Sequence, residues 1–278
     1  MLLKFRKALG EGGVTDGYYG QEINLTTSKL ACINKFLHGV SYDKFHLAFG
    51  DTLVEPQHWS DEPFEAIVSN PLYFIKWEGD NNPVLINDPR YSPAGVLAPK
   101  SKADLAFSIH ILSWLAENGT AAIVEFPGVL YRGGAEQKIR KYLVDNNYVD
   151  TVIQLPPDLF FGTTIGTCII VLKKSKSTSD VLFIDAFKQF QRVGNKNKFT
   201  KQSQNTILEN IANHEESEHY AYRVDNDKLA ESDYNLSVSS YIEPEDTCEI
   251  IDIKEPIAET ESIVMRQSQL RDAIDEIV

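Results

Sequence analysis

An asparagine and a proline stand directly behind an apolar run, in the segment SNPLYF that begins at Ser69. The run Phe64 to Ser69 is typical of a strand, and open α/β sheets bind ligands beyond the carboxyl ends of their strands. The amide oxygen of Asn70 and the carbonyl oxygen of Pro71 could then accept the hydrogens of an aromatic amine such as that of adenine. Tyr73 could stack on a base pulled from a duplex. Taken alone, however, the tetrapeptide favours an ordinary Asn-Pro turn.

Two carboxylates precede this segment, and each stands at the end of its own predicted strand. Glu22 lies near the end of the strand GYYGQEI, where an acid typically binds ribose hydroxyls. Asp51 ends the next strand and could accept hydrogens from an adenine amino group. The alternative for each acid is a solvated residue or a helix cap. Their order favours a ligand-binding site. Glu22, Asp51 and Asn70-Pro71 come at the ends of three successive predicted strands.

The elements that must position these residues alternate short apolar runs with helical patterns, as βα units do. The expected strands are Gly17 to Ile23, Phe45 to Gly50, Phe64 to Ser69, Thr120 to Phe126, Val149 to Leu155, Ile165 to Leu172 and Val181 to Asp185. The expected helices are Leu2 to Leu9, Leu25 to Leu37, a helix from a capping box at Ser101–Asp104 to Asn118-Gly119, and Ala135 to Leu143. In the second helix, Leu30, Ile33 and Leu37 share one face. A long Pro-rich segment, Tyr73 to Lys100, interrupts the alternation and indicates a functional or disordered loop.

Composition limits the function classes. The 278 residues carry a net charge of -13 and contain no long uncharged apolar run, so we expect no membrane span. Cys32, Cys168 and Cys248 lack metal-ligand spacing, which indicates no metal site and a reducing cytoplasm. Duplex DNA is held largely by cations. Either DNA is not the ligand, or a partner supplies most of the binding.

The last third of the chain is more polar. Arg192 to Lys201 is basic, Asn-rich and expected to be exposed. Ile257 to Val278 is an amphipathic helix, which packs either on its own domain or on another subunit. We therefore expect a partial catalytic domain at 1–174, a polar extension with a short strand and helix at 175–256, and the terminal helix at 257–278.

Several stretches together resemble one family. They are GQEINLTTSKLACINKFLHGV, AFGDTL, FEAIVSNPLYFIKWEGD, NDPRYSPAGVLAPKSKADLAF, AAIVEFPGVLYRGGAEQKIRKYLVDNNYVDTVIQLPPDLFFGTTIGTCIIVLKKSK and SDYNLSVSSYIE. Spread over nearly the whole chain, they are similar to the modification (methylation) subunit of type I restriction-modification enzymes, a family of adenine-specific DNA methyltransferases.

The resemblance implies an α/β Rossmann-like methyltransferase sheet, S-adenosyl-L-methionine as methyl donor and N6-methyladenine in DNA as product. It matches Glu22 to the ribose-binding acid, Asp51 to the acid that contacts the donor adenine, and Asn70, Pro71 and Tyr73 to the catalytic motif. It implies as partners a specificity subunit that reads the DNA, a restriction subunit and a second modification subunit. With that division of labour, an acidic chain need not hold DNA unaided.

Two departures from the family pattern stand out. The strand and glycine-rich donor loop expected before the helix Leu2 to Leu9 are absent from this sequence, so we expect a sheet without its first central strand, weak or no donor binding, and little activity of the isolated chain. Leu72 replaces the second proline of the motif, and Phe74 stands where a small residue is usual. The competing interpretation is a non-catalytic assembly fragment that binds the specificity subunit; a stand-alone methyltransferase fits the acidic charge less well.

Overall fold

The computed structural model describes residues 1–10, 13–58, 62–160, 164–245 and 254–275. Met1–Pro244 form one compact unit and Glu245–Val278 another. The first unit is a mixed α/β domain, as expected. Its helices are α1 (Leu2–Leu9), α2 (Leu25–Leu37), α3 (Pro83–Ile86), α4 (Asp104–Trp114), α5 (Ala135–Asp145), α6 (Lys201–Asn213) and α7 (Asn226–Glu231).

The strands follow the predicted order closely, because each is a short apolar run bounded by turn residues. They are β1 (Tyr18–Glu22), β2 (Phe45–Phe49), β3 (Phe64–Ser69), β4 (Leu115–Glu125), β5 (Val149–Gln154), β6 (Cys168–Lys173), β7 (Asp180–Asp185), β8 (Gln191–Val193), β9 (Lys196–Lys198) and β10 (Ala221–Asp225). Two of these, β8 and β9, lie inside the segment that the sequence indicated only as basic and exposed.

Six strands form one sheet in the order β10-β7-β5-β6-β4-β3. Strand β3 is parallel to β4, β5 is parallel to β7, and β6 runs antiparallel to both β4 and β5. The carboxyl ends of β3, β4, β5 and β7 therefore meet at one edge of the sheet. We call it the ligand edge, since that is where open α/β sheets bind ligands.

Strands β1 and β2 form a separate parallel pair. Within the described residues, β1 has no strand partner other than β2, and β3 has none other than β4. The rings of Tyr19 in β1 and Phe64 in β3 nevertheless pack with their centroids 5.2 Å apart. The expected mixed α/β sheet is confirmed, whereas a central strand missing between β1 and β3 remains a prediction.

The core of the large sheet is apolar on both faces, as in a doubly covered α/β sheet. On one side, α4 and α5 pack against residues such as Ile123, Val152 and Phe183. On the other, Ile153 and Leu182 pack with Ile207 of α6. The β1–β2 pair has a small core of its own around Tyr18, Val40 and Phe45.

Helix α2 has the predicted bounds, but its apolar face does not enter the core. Leu30, Ile33 and Leu37 are 59%, 53% and 80% exposed. The side of α2 toward the β1–β2 pair carries Cys32 and the buried Lys35. A sheet of two strands offers little area, so it covers only part of the helix.

The prediction of a helix that begins at Ser101 and ends at Asn118-Gly119 was wrong at both ends. Helix α4 begins at Asp104 and ends at Trp114, and β4 already starts at Leu115, before the Asn118-Gly119 pair that was expected to close the helix. The Ser101–Asp104 capping box does not form, because the N-cap residue is Ala103 and makes no side-chain cap bond.

The C-terminal unit contains one helix, α8 (Lys254–Asp275). The described side chains on it, at residues 260–272, are exposed and include Ile263 and Leu270. Among the described residues, no helix is long and apolar enough to cross a membrane. The division of the chain near residues 174 and 256 remains a prediction, although β7 and β10 do belong to the six-stranded sheet.

Arg140 of α5 fixes the segment after α7 to this sheet. The guanidinium, only 2% exposed, donates to the carbonyl oxygens of Tyr234 at 2.8 Å, Val129 at 2.9 Å and Arg132 at 2.7 Å. Burial lowers its pKa to about 10, which still leaves the group charged at neutral pH. Three buried carbonyls thus depend on one side chain.

Substituting Arg140→Met should lower the free energy of unfolding by about 3 kcal/mol, because the three carbonyls lose their donor in a site closed to water. Urea denaturation followed by circular dichroism measures this. The matched control is Lys141→Met, which removes an exposed pair with Asp145 and should cost much less. Equal losses in the two variants would contradict the role given to Arg140.

Candidate functional site

The turn after β3 lies at the ligand edge and presents the predicted motif. Asn70 is exposed and follows Ser69, which lies opposite Ile123 of β4. The Tyr73 hydroxyl donates to Asn70 Oδ1 at 3.4 Å. The structure thus brings Asn70, Pro71 and Tyr73 together in one short turn.

Tyr73 is half-buried, with its hydroxyl above an acidic region. Burial, followed by the nearby Glu125, Cys168 and Asp104, raises the pKa of Tyr73 to about 12. The hydroxyl therefore keeps its proton at neutral pH and acts as the donor to Asn70. This contact orients the amide, whose oxygen retains a second lone pair for another donor.

Two hydrogen bonds, both donated by backbone N–H groups, hold the end of the turn to the start of α4. Phe74 has a φ of 57°, in the left-handed region that a bulky residue rarely adopts. Its N–H donates to Asp104 Oδ1 at 3.2 Å, and the N–H of Ala103 donates to the Ile75 carbonyl at 2.9 Å. Asp104 is only 1% exposed. A buried carboxylate therefore stabilises an unfavourable backbone conformation next to Asn70.

Glu125 ends β4, beside the strand that carries Asn70. The side chain is fully buried, and Ser108 Oγ donates to its Oε1 at 3.1 Å. Burial, then the charge of Asp104, raises the pKa of Glu125 to about 8. Neither Glu125 Oε2 nor Asp104 Oδ2 has a hydrogen-bond partner among the described residues. The cost of ionising both buried carboxyls keeps Glu125 protonated at neutral pH.

The two predicted acids meet at the ends of the β1–β2 pair. Glu22 ends β1 opposite Phe49, two residues before Asp51, and the Gly50 N–H donates to the Glu22 carbonyl at 3.1 Å. Glu22 Oε1 accepts the Asn24 N–H at 2.8 Å, and Asp51 Oδ1 accepts the Leu53 N–H at 2.9 Å. Each carboxylate is thus oriented by a local backbone N–H through one of its oxygens.

Arg90, in the long Pro-rich segment, supports the loop after Asp51. Its guanidinium is buried and donates to the carbonyls of Thr52 and Leu53, each at 2.9 Å. It also forms a salt bridge of 2.7 Å with Asp88. The segment that the sequence indicated as a functional or disordered loop is thus ordered, and it fixes the backbone next to Asp51.

His110 of α4 completes this network as a neutral ring. Burial, followed by the nearby Arg90, lowers the pKa of His110 to about 3. An arginine only donates, so His110 Nδ1 accepts from Arg90 at 3.1 Å. The proton then resides on Nε2, which donates to Thr52 Oγ1 at 3.0 Å.

Helix α4 therefore contacts both halves of the candidate site. Asp104 at its start holds the turn of Asn70, and His110, about 1.7 turns later, holds the loop of Asp51. The two halves lie on different sheets, so no strand pairing joins them. Within the described part of the chain, no group of histidine, cysteine and acidic residues is arranged to hold a metal ion.

Comparisons with known proteins assign this chain to a family. The family model described as N-6 DNA Methylase matches residues 1–249. The MpnII type I restriction enzyme methylase subunit of Mycoplasma pneumoniae is 43% identical over 287 residues, which cover 100% of this chain and 53% of that protein. The chain belongs to the N-6 DNA methylase family.

Solved structures that share this fold include a type I subunit. The methyltransferase subunit of a type I restriction-modification system from Streptococcus thermophilus superposes with a TM-score of 0.82 at 40% identity, over 87% of this chain and 51% of that one. A Listeria monocytogenes structure described as a class I S-adenosylmethionine-dependent methyltransferase shares the fold at a TM-score of 0.56 and 17% identity, over 75% of this chain and 58% of that one. The chain spans about half the length of the type I relatives it matches.

Sequence reasoning missed the buried polar residues that support the site. Asp104 stood within an apparent capping box, which is a local explanation for an acid at a helix start. Arg90 stood two residues after Asp88, a spacing that indicates a local ion pair but not the carbonyls of Thr52 and Leu53. That spacing was the one available indication that the loop is ordered.

Stability of this protein should fall as pH rises from about 4.5 to about 8. In the unfolded chain Glu125 ionises at its ordinary pKa of 4.5, whereas in the folded state it keeps its proton up to about 8. The unfolded state therefore loses protons first, and this favours unfolding within that window. Urea denaturation at about pH 5 and about pH 8 measures the effect.

The Glu125→Gln variant keeps the shape of the neutral side chain and removes the titration, so its stability should depend less on pH over the same window. The exposed Glu117→Gln variant should retain the dependence of the unaltered protein. A Glu125→Gln protein with an unchanged pH dependence would show that Glu125 is not the group responsible.

Proposed function

We propose that this chain carries the catalytic half of a type I modification subunit, which transfers a methyl group from S-adenosyl-L-methionine to adenine N6 in DNA. The observation that supports it most directly is the turn at the ligand edge, with Asn70 exposed, oriented by Tyr73 and held by a buried carboxylate. Family membership and the names of its type I relatives point to the same reaction.

The reaction requires a better nucleophile than an aromatic amine. The lone pair of adenine N6 is delocalised into the ring, and hydrogen bonds from its two N–H groups to Asn70 Oδ1 and the Pro71 carbonyl favour the tetrahedral nitrogen that attacks. The methylated amine is cationic until it releases one of these protons to water at the exposed turn. Tyr73 would stack on the extruded base and hold it at Asn70.

The donor would lie against the paired acids at the ends of β1 and β2. S-adenosyl-L-methionine supplies an electrophilic methyl group on a sulfonium. Glu22 fits its ribose hydroxyls and Asp51 its adenine amino group, because each carboxylate is fixed by a local N–H and has an oxygen left to accept a hydrogen bond. Arg90 keeps the backbone around Asp51 in place through the carbonyls of Thr52 and Leu53.

Assembly is a second function that specific observations favour. The exposed Leu30, Ile33 and Leu37 of α2, and the exposed Ile263 and Leu270 of α8, form apolar surface of the kind that subunit interfaces cover. The partners we propose are a specificity subunit, a restriction subunit and a second modification subunit. A fragment that serves only assembly would keep these surfaces without binding the donor. Calorimetry with S-adenosyl-L-methionine separates the two functions, since only the enzyme requires donor binding.

Replacing Asn70 with alanine should reduce methyl transfer at least about a hundredfold, because the attacking amine loses a positioned acceptor. The measurement is transfer of a radiolabelled methyl group to unmethylated duplex by the chain assembled with its specificity subunit. Donor affinity by calorimetry should stay unchanged. Tyr73→Phe keeps the stacking ring and should retain more activity than Tyr73→Ala. An Asn70→Ala enzyme within twofold of the unaltered rate would refute the assignment.

Deleting residues 257–278 should abolish co-purification of this chain with the specificity subunit. A finer test is the double substitution Ile263→Ser and Leu270→Ser, which removes exposed apolar area from α8. The matched control, Gln267→Ser and Gln269→Ser, changes two polar neighbours on the same helix and should leave the complex intact. Unchanged co-purification of both the deletion and the apolar double variant would exclude α8 as the contact.

A further inference from the structure

A basic hairpin lies at the same edge of the sheet as the Asn70 turn. Strands β8 and β9 pair antiparallel and are joined through Gly194, whose φ of 61° suits a tight turn. The hairpin follows β7, whose carboxyl end lies at the ligand edge with that of β3. Four strand spacings separate β7 from β3 in the sheet order, a distance of about 19 Å.

The segment that contains this hairpin has an unusual charge for this chain. Between Asp185 and Glu209 there is no acidic residue, although the protein as a whole has a net charge of -13. The same stretch contains five cations, all within the range 188–201: Lys188, Arg192, Lys196, Lys198 and Lys201. We call residues 188–201 the basic segment. It is a local exception to an acidic surface.

The basic segment is held in place by the loop after β5. Asn197 is 4% exposed; its N–H donates to the Asp158 carbonyl at 3.1 Å and its side-chain amide to the Pro157 carbonyl at 2.8 Å. Lys196 Nζ donates to the Phe160 carbonyl at 2.8 Å. These contacts order the hairpin before any ligand arrives, which reduces the entropy lost on binding.

Most of the positive charge is left unneutralised. Asp158 forms ion pairs with two cations, Arg192 at 2.9 Å and Lys196 at 4.0 Å. Lys188, Lys198 and Lys201 are exposed and have no carboxylate partner in the part of the chain that the structure describes. Exposed lysines of this kind contribute little to folding. Their concentration at one edge of the sheet therefore indicates a surface that binds an external anion.

We propose that the basic segment binds the phosphate backbone of duplex DNA that flanks the target adenine. This proposal rests on the proposed function, because it needs a duplex whose extruded base reaches Asn70. Since each strand of a duplex has one phosphate per 3.4 Å along the axis, a separation of about 19 Å corresponds to about six base pairs. The segment would contact backbone and not bases, and it would hold the duplex without reading its sequence.

The test is binding of a fluorescent duplex of about 25 base pairs to the full chain, measured by anisotropy at a series of salt concentrations starting at about 10 mM. The double variant Lys198→Gln and Lys201→Gln removes two of the unneutralised cations. At about 0.1 M salt its affinity should be weaker by about tenfold or more, and the slope of log K against log salt should fall by about 2. Both side chains are exposed, so the variant should keep the thermal stability of the unaltered chain.

The matched control removes two positive charges from the opposite edge of the same sheet. Lys174 follows β6 and Lys228 lies in α7 directly after β10, and both strands run antiparallel to the strands that end at the ligand edge. The Lys174→Gln and Lys228→Gln double variant should change the affinity less than about threefold. Equal weakening by both double variants would show a general charge effect and overturn the proposal.

Two further outcomes would also overturn it. If the unaltered chain does not bind the duplex at about 10 mM salt, the basic segment is not a phosphate-binding surface. If poly-glutamate competes with the duplex as well as unlabelled DNA of equal charge does, the surface fits an acidic protein instead. The binding assay contains no methyl donor and measures no methyl transfer, so a failure of the catalytic assignment remains distinguishable from a failure of this one.

Discussion

The hydrogen bond from the Phe74 N–H to Asp104 is the interaction on which the candidate site depends most. It joins a strained turn at the sheet edge to the first residue of a buried helix, 30 positions later in the chain. The same helix holds the loop of Asp51 through His110 and Arg90. Two groups of residues on two different sheets thus share one support. Its rigidity has a physical source, because a buried helix packed in the core shifts only if the core shifts with it.

The polar residues of this support are buried in defined states, and each state follows from desolvation. At neutral pH Glu125 keeps a proton that an exposed glutamate would lose. His110 is neutral at that pH, whereas an exposed histidine would be partly protonated. A neutral Glu125 adds no negative charge to the buried region next to the turn. A neutral His110 lets Arg90 donate to it. The region is therefore less charged than its composition indicates.

The sequence predicted the strands and the residues at their ends well, because both are local. An apolar run of six residues followed by Asn70-Pro71 identifies a strand and its exit without any knowledge of its neighbours. Asp104 and Arg90 could not be assigned in that way. The partner of Asp104 is 30 residues away. Arg90 has a local partner in Asp88, but the carbonyls of Thr52 and Leu53 that it supports are 38 and 37 residues away, and nothing in its own segment indicates them. The exposure of the apolar face of α2 could not be predicted for a related reason. The spacing of Leu30, Ile33 and Leu37 shows that one face of the helix is apolar but does not show what covers that face.

The separate β1–β2 pair should lower the cooperativity of unfolding. Its small core of Tyr18, Val40 and Phe45 is distinct from the two clusters of the large sheet, and a pair of strands is marginally stable unless other elements pack against it. The first 50 residues should therefore open as a subglobal unit at a lower free energy than the rest, and limited proteolysis should cut there first. A ligand held by Glu22 and Asp51 would protect this region through mass action alone, without any change in the large sheet.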